Sequence, residues 1–586
     1  MIAPRLEWLL PEPFPDPPTF PGFGVPVATL LARRGFRSSE ALDTFLHSRE
    51  SSLHDVSLMA DADLALARIA RALDTGERIA IWGDYDADGM TAVAIWTLAL
   101  RAAGHEPVRH VPSRLAEGYG LSAAGLDRLA AQGVRLVVTC DCGIVNGAEV
   151  EHARALGVDV IVTDHHLPAG ALPRAAAVVD PHRPDCTYPD PDLTGAGISF
   201  KLASALLAQR GLVAADLAGI AAIGTVADVA PMTGESRAIV RLGLDELGTT
   251  TRPGLRALLV RAAEQPEHPT ARDLAFGVAP RINAAGRIAD ADLAMALLIE
   301  DDPERAERMA EELEGVHRQR RELTAAAIAV ATDLLDTAPG PLAIRHDEWS
   351  PGILGLVASR LAESTARPVA VACLVGDELR GSVRAPIDFH VADALGACAA
   401  LLTKRGGHAG AGGFSLEVSG WEAFVAAFAA LPRPYPPDPT RDPERAGRVT
   451  VDLVVPAVHV GWPLMNEIER LAPYGPGHVE PLLAVTGLRV GDARRIGAGG
   501  EHLALRLLKG NETLDAVAFG VPADRPVPEP GTRLDVVGTL EHDRFGGLPR
   551  LRIRVQDYAD AAASPLLARR RAAAVPVPVG GAVPAG

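Results

Sequence analysis

The sequence predicts an α/β protein in three parts. A parallel-sheet lobe comes first, a second α/β lobe follows through one long helix, and a small antiparallel barrel comes last. Three observations carry this. Between residues 79 and 164, short apolar runs alternate with helical segments, the pattern of strands buried on both faces. From Glu304 to Thr337 only Gly315 interrupts a stretch without glycine or proline. After residue 448, short runs of alternating apolar and polar residues recur between turn signals.

Residues 11–26 carry seven prolines and little periodicity, an irregular lead-in. Helical patterning follows at 27–47 and 61–74. RIAIWGD then reads as a buried strand, GMTAVAIWTLALRAAG as an apolar helix and PVRHVPS as a second strand. SAAGLDRLAAQG is a helix, RLVVTCD a third strand, NGAEVEHARALG a helix and VDVIVTD a fourth strand. From 196 to about 300 the pattern is mainly helical. Residues 303–337, acidic in their first half with an arginine cluster at the middle, form a rigid connector. The apolar heptad is not sustained, so this is no coiled coil. A second α/β unit spans 338–430, with strands near PLAIRH and PVAVACLV. Six prolines make 431–447 a linker. VTVDLVV, LAVTGLRV, LALRLLK, DAVAFG, RLDVVGTL and LPRLRIRV supply the barrel strands at 448–558. The remainder is expected to be a disordered tail, 559–586.

Composition removes whole classes. With 586 residues the chain has room for three or four domains of about 100–200 residues each. A formal charge of −17 argues against a uniformly basic nucleic-acid coat, though not against a local basic groove. Lysine is confined to Lys201, Lys404 and Lys509, so arginine, the better fork for phosphate oxygens, carries the basic side. No run approaches 18 apolar residues, so no membrane span is expected. No signal peptide is evident at the N-terminus. Five cysteines are too few, and odd in number, for a disulfide framework, and fit reduced thiols in a cytoplasm. Cys140 and Cys142 read as small buried residues ending a strand.

Acidic residues interrupt the strand ends. The first strand runs into Gly83-Asp84-Tyr85-Asp86-Ala87-Asp88-Gly89, the third into Asp141 and the fourth into Asp164-His165-His166. In a parallel sheet all three reach the carboxyl edge, where open α/β sheets place ligands. Asp228 closes an apolar helix in GTVADV. Carboxylates and imidazole without thiolate favour hard divalent ions such as Mn²⁺ or Mg²⁺ over structural zinc. A calcium loop is disfavoured, because position twelve counted from Asp84 is Ile95 and the loop follows a strand.

GDYDADGMT, TCDCG, TDHH and GTVADVAPM together resemble the four motifs of the DHH phosphoesterases, in order. GSVR at 381–384 and GGHAGAGGF at 406–414 resemble the associated DHHA1 domain. EGYGLS, FGVAPRINAAGRI, PGILGLVASRLAE and LAPYGPGHVEPLL resemble the family's exonuclease branch. The resemblance covers about residues 30–558. It implies an N-terminal arm with helices at 1–50, a DHH catalytic domain at 51–302, the connector at 303–337, a DHHA1 domain at 338–430 and an OB-fold domain at 448–558. It also implies a 5′→3′ exonuclease acting on single-stranded DNA in repair and recombination.

Two cations ~3.5–4 Å apart can clamp the attacking and leaving oxygens of a phosphodiester. On a central strand, Asp141 is the expected bridging carboxylate. Asp86 would hold one ion, and Asp88, His165 and Asp228 the other, positions the resemblance supports. Asp84 either completes the first site or orients its water. His166 would touch the scissile phosphate or support the ligands, and Asp164 would orient the imidazoles. No covalent nucleophile is needed. By resemblance, Arg114, Ser382 and Arg384 form a 5′-phosphate pocket. Tyr119 is placed to stack on a base, Arg281, Asn283 and Arg287 sit in a loop that could hold the backbone, and His408 lies in a glycine-rich loop able to approach phosphate. The barrel would extend the strand-binding surface. Single-strand-binding protein and a helicase are expected partners, and the chain is expected to be a monomer. The alternatives are a DHH phosphoesterase of short oligonucleotides or small phosphate substrates, and a non-catalytic replication scaffold. The barrel and exonuclease-type segments count against the first, and the retained acidic set against the second.

Overall fold

The computed structural model describes residues 1–14, 16–113, 117–335, 340–433, 435, 447–497, 499–543 and 550–567. The chain divides into two compact units. Ser48–Pro443 with Pro473–His478 form one; Met1–His47, Glu444–Ala472 and Val479–Gly586 form the other.

In the larger unit, a five-stranded parallel sheet has the spatial order Val108–His110, Arg78–Trp82, Val134–Thr139, Asp159–Thr163, Ala177–Val179. The last strand is one more than the sequence revealed; its three residues sit among prolines. Ile79 and Ile81 face one apolar cluster, Ala80 and Trp82 the other, the period-two alternation of a sheet covered on both sides. Helix Ala87–Ala102 is buried along Ala87–Leu100, so it reads apolar all round. Trp82 pairs with Thr139, and Thr163 with Val179, which aligns the ends that carry Asp84, Asp141, Asp164 and Asp180.

Helix Pro303–Asp333 starts with Asp302 accepting from the Arg305 N–H at 2.7 Å and Pro303 in its first turn. Ala306, Ala310 and Leu313 join the core of the first lobe, while Ala327 and Ala331 join that of the second. One helix therefore nucleates on both lobes, as a connector must. The second lobe's sheet has the order Lys404–Gly407, Ala411–Glu417, Glu378–Arg384, Val369–Val375, Leu342–Arg345.

In the smaller unit, strands Leu483–Ile496, His502–Lys509, Glu512–Ala518, Arg550–Asp560 and Arg533–Asp543 close a barrel, the first pairing with the last. Residues 11–24 are irregular where described, as expected, but a strand not anticipated in the sequence precedes them. Strand Glu7–Leu9 pairs in parallel with Arg448–Thr450, and helices Val25–Arg33 and Ser39–Leu46 follow. The expected tail boundary at 559 falls inside the final strand, and Leu566 is buried; residues 568–586 lie outside the described residues. No helix among the described residues is long and apolar enough to cross a membrane.

Candidate metal centre and substrate cleft

The acidic loop after Trp82 is held open by backbone chemistry. Asp86 caps helix Ala87–Ala102, accepting the N–H groups of Asp88 at 3.0 Å and Gly89 at 3.1 Å. Gly89 permits the turn, because a Cβ there would meet the Asp84 backbone at 2.5–2.7 Å. Asp88 is buried, and its two oxygens accept from Gly195 at 2.7 Å and Ala196 at 3.0 Å. Those amides open helix Gly195–Gln209, whose positive end favours a carboxylate.

The structure gathers the seven residues expected to be catalytic. Three overlapping groups each offer ligand atoms within 4.8 Å of one another: Asp84, Asp86 and Asp141; Asp88, His165 and Asp228; and Asp141, His165 and His166. Asp141 is shared, as a bridging carboxylate requires, and takes a left-handed φ of 63°. His165 Nε2 lies 2.9 Å from Asp141 Oδ1, 3.8 Å from Asp88 Oδ2 and 3.7 Å from Asp228 Oδ2.

Crowding makes these carboxylates poor at staying charged alone. Burial, then repulsion from Asp86, pushes Asp88 up to about 7. Burial, then Asp88 and Asp86, raises Asp228 to about 8. Asp141 rises well above the ordinary range through burial and Asp88. Cations relieve that repulsion, so an oxygen and imidazole set of this kind fits hard divalent ions. The neighbouring thiols do not compete: burial raises Cys140 to about 12 and Cys142 well above its usual value.

Asp164 organises the histidine pair. Its Oδ1 accepts from the His165 N–H at 2.8 Å, the His166 N–H at 3.2 Å and His166 Nδ1 at 2.8 Å. Burial opposes the charge, but Asp164 holds His166 up to about 9. Burial, then His166, depresses His165 to about 4, leaving a neutral ligand. The ring that Asp164 orients is that of His166; the His165 ring nitrogen Nε2 faces Asp141.

The other expected residues divide. Ser382 and Arg384 lie on strand Glu378–Arg384, with Arg384 Nη1 donating to Ser382 Oγ at 3.0 Å. Gly355, in the first turn of helix Leu354–Thr365, lets both approach; its Cβ position is 3.1 Å from Arg384 Nη2. A hydroxyl and a guanidinium thus meet beside the first turn of a helix, a combination that could receive an anion. His408, in the glycine-rich loop, is depressed by burial and then by the charges of Arg384 and His166. Arg114 lies outside the described residues.

The expectation for one segment needs correction. Arg281, Asn283 and Arg287 are not in a loop but on helix Ala279–Ile288. Arg281 is engaged by Glu314 at 2.7 Å and by the Gly277 carbonyl at 2.8 Å, a strut to the connector helix. Asn283 Oδ1 accepts from the Ala87 N–H, and Arg287 Nη1 donates to the Gly352 carbonyl at 3.3 Å. The Tyr119 hydroxyl donates to the Asp141 carbonyl at 3.2 Å and lies 3.1 Å from His166 Nδ1. Its ring lies edge-on to His166 at 5.6 Å and is 41% exposed, so the bonds of the hydroxyl leave the ring accessible for the expected stacking.

Sequence reasoning missed Asp180 and His182. Asp180 Oδ1 accepts from the His182 N–H at 2.7 Å, and His182 Nδ1 donates to the His165 carbonyl at 2.6 Å. The signal was one more acid at a strand end, Val179-Asp180-Pro181-His182.

Comparisons with known proteins agree with this layout. Residues 78–225 match the family described as DHH family, N-terminal domain, residues 328–431 the DHHA1 domain and residues 451–557 the RecJ OB domain. The single-stranded-DNA-specific exonuclease RecJ of Salmonella typhimurium is 34% identical, over 90% of this chain and 94% of that protein. The crystal structure of RecJ from Thermus thermophilus in complex with Mn²⁺ is similar at a TM-score of 0.78 and 32% identity, covering 95% of this chain and 80% of that one. Its Mg²⁺ complex is similar at 0.71 and 30%, covering 95% and 79%.

Proposed function

The chain belongs to the RecJ family of single-stranded-DNA-specific exonucleases, and on that premise we infer how it degrades single-stranded DNA from a 5′-phosphorylated end. The observation that carries the mechanism is the set of overlapping ligand groups sharing Asp141 and His165.

Asp84, Asp86 and Asp141 would hold one divalent cation, and Asp141, Asp88, His165 and Asp228 the other. When bound, Mn²⁺ or Mg²⁺ supplies the Lewis acidity that activates water and stabilises charge on the scissile phosphate. The chain's own residues do the rest. Asp164 keeps His166 protonated and aimed, so the imidazolium can donate to a phosphate oxygen as charge develops. Tyr119 braces that ring. Asn283 fixes the loop that carries Asp84, Asp86 and Asp88. Arg384, Ser382 and the start of helix Leu354–Thr365 hold the terminal phosphate, which sets both the end and the 5′→3′ direction. The space between the two lobes of the larger unit admits one strand and excludes a duplex. The OB-type barrel supplies further contact to the strand. Cytoplasmic location, a monomeric state, action in repair and recombination, and partnership with single-strand-binding protein and a helicase complete the proposal; five free cysteines, four of them buried, suit a reducing compartment.

The test uses 5′-phosphorylated single-stranded DNA and a blunt duplex of the same sequence with Mn²⁺. Mononucleotide release from the single strand at least tenfold faster is expected. Equal rates on both would reject the proposal.

A further inference from the structure

Among the described residues, five that are not glycine lie in the left-handed region of φ: Asp61, Asp141, Asp216, Val229 and Ala366. Three are aspartates, which tolerate that region, and one is alanine. Val229 alone of the five is β-branched, at φ 62°, where a branched side chain is a genuine outlier.

The conformation has a clear origin. Helix Leu217–Ala227 ends at Asp228. The Val229 N–H then donates to the Val226 carbonyl at 3.2 Å and the Ala230 N–H to the Thr225 carbonyl at 3.3 Å. That pair of bonds is the Schellman cap, whose left-handed position is usually glycine. The cap aims Asp228, whose Oδ2 lies 3.7 Å from His165 Nε2. A glycine would make the same turn without strain. Burial does not offset the strain either, because Val229 is 65% exposed. What valine adds over glycine is an isopropyl group standing in water next to a carboxylate of the metal centre. Strain persists where the surroundings make use of it, so this group has an occupant to meet.

We infer that Val229 is a specificity-determining residue whose isopropyl group packs against the deoxyribose next to the scissile phosphate. The sugar is the apolar part of a nucleotide nearest that phosphate, and Val229 is one residue from a group placed to hold the ions acting on it. The inference rests on the proposed exonuclease reading.

The experiment compares wild type with Val229→Gly, Val229→Thr and Val229→Ile. Each is assayed on a 5′-phosphorylated oligodeoxynucleotide and on bis(p-nitrophenyl) phosphate, which has no sugar, with Mn²⁺. Hydrolysis of the oligonucleotide by wild type tests the exonuclease reading itself. The ratio of kcat/KM on the oligonucleotide to kcat/KM on the small diester tests the valine. That ratio should fall about tenfold in Val229→Gly, the effect of losing one buried aliphatic side chain. It should fall similarly in Val229→Thr, which keeps the shape and adds a hydroxyl, and stay within about twofold in Val229→Ile. The Tm of Val229→Gly should be equal to or above that of wild type, as relief of strain requires. An unchanged ratio in Val229→Gly, or a proportional loss on both substrates, overturns the inference.

Discussion

Asn283 accepts, through Oδ1, the backbone N–H of Ala87 at 3.0 Å, tying helix Ala279–Ile288 to the start of the helix that Asp86 caps. Gly286 on the same helix packs against the Tyr85 carbonyl with no room for a Cβ. The metal loop is therefore clamped from outside its own sheet. Asn283→Ala should leave the Ala87 amide without this partner and raise the Mn²⁺ dissociation constant about tenfold, the low end for residues supporting metal ligands. Calorimetric titration with Mn²⁺ measures this, and wild-type affinity in the variant would refute the clamp.

Arg384 donates to Ser382 beside the first turn of helix Leu354–Thr365, the seat proposed for the terminal phosphate. A charge-assisted contact to phosphate contributes about 1.5–3 kcal/mol, so Arg384→Ala should cut kcat/KM on 5′-phosphorylated strands about 10–100-fold. On 5′-hydroxyl strands the cost should be far smaller. If the variant loses the same factor on both substrates, the terminal phosphate is held elsewhere.

Much of the first lobe was legible because one physical rule places its ligands. Parallel strands end together, so Asp84, Asp141 and Asp164 had to share an edge once the βα alternation was recognised. Asp228 was legible as an acid ending an apolar helix. The supporting layer was not legible, because it depends on contacts far apart in sequence. Asn283 meets Ala87, and Arg281 meets Glu314; a segment read as a loop is a helix that props the site. The strand Ala177–Val179 was too short to show a period, and with it Asp180 and His182 were lost. The N-terminal arm hid for another reason. Its anchors, the buried carboxylate of Asp557 and the strand Arg448–Thr450, lie more than four hundred residues away.

Without metal, stability should fall with rising pH. Asp88 and Asp228 are raised to about 7 and about 8 from 3.8, and His166 to about 9 from 6.5. Folded protein thus holds more protons than unfolded chain between about pH 6.5 and 9, and stability declines across that window. His165, depressed to about 4, acts oppositely, but only below about pH 6.5. The Tm of protein stripped with a chelator should therefore drop from pH 6.5 to 8.5. Saturating Mg²⁺ should raise Tm most at the upper end, because it binds the deprotonated set. A metal-free Tm that stays level or rises over this range would falsify the electrostatic account.

Asp557 Oδ2 accepts from Trp8 Nε1 at 2.9 Å, from the Arg5 N–H at 2.8 Å and from the Leu6 N–H at 2.9 Å, while Oδ1 meets Arg525 Nη2 at 2.9 Å. Asp557→Ala strands the buried Trp8 indole, two backbone amides and a guanidinium, at a cost of about 3–5 kcal/mol to the smaller unit. Limited proteolysis should then cut within residues 1–10 well before wild type is touched. Protection equal to wild type would show that pairing with Arg448–Thr450 holds the arm by itself.

Gly224 is a tight joint of the metal centre. It lies one turn before Asp228, and a Cβ there would run into Thr91 Oγ1, Ala196 Cβ and Asp88 Oδ1 at once. Thr91 is itself fixed by donating to the Ala87 carbonyl at 2.7 Å, and Asp88 by the amides of Gly195 and Ala196. None of these neighbours can yield without moving a helix or a ligand. Gly224→Ala should therefore cost about 1–3 kcal/mol in overpacking despite its better helix propensity. It should also lower Mn²⁺ affinity, because Asp88 is displaced from the group it shares with His165 and Asp228. Gly219→Ala on the same helix is the control: there a Cβ meets the Leu247 side chain at 3.0 Å and a Glu246 oxygen at 3.6 Å, neither of them in the acidic cluster. Its cost should stay below about 1 kcal/mol, with metal affinity within about twofold of wild type. Chemical denaturation and Mn²⁺ titration of both variants decide the point. Equal losses in the two would mean that helix packing in general, and not the wedge beside Asp88, governs the site.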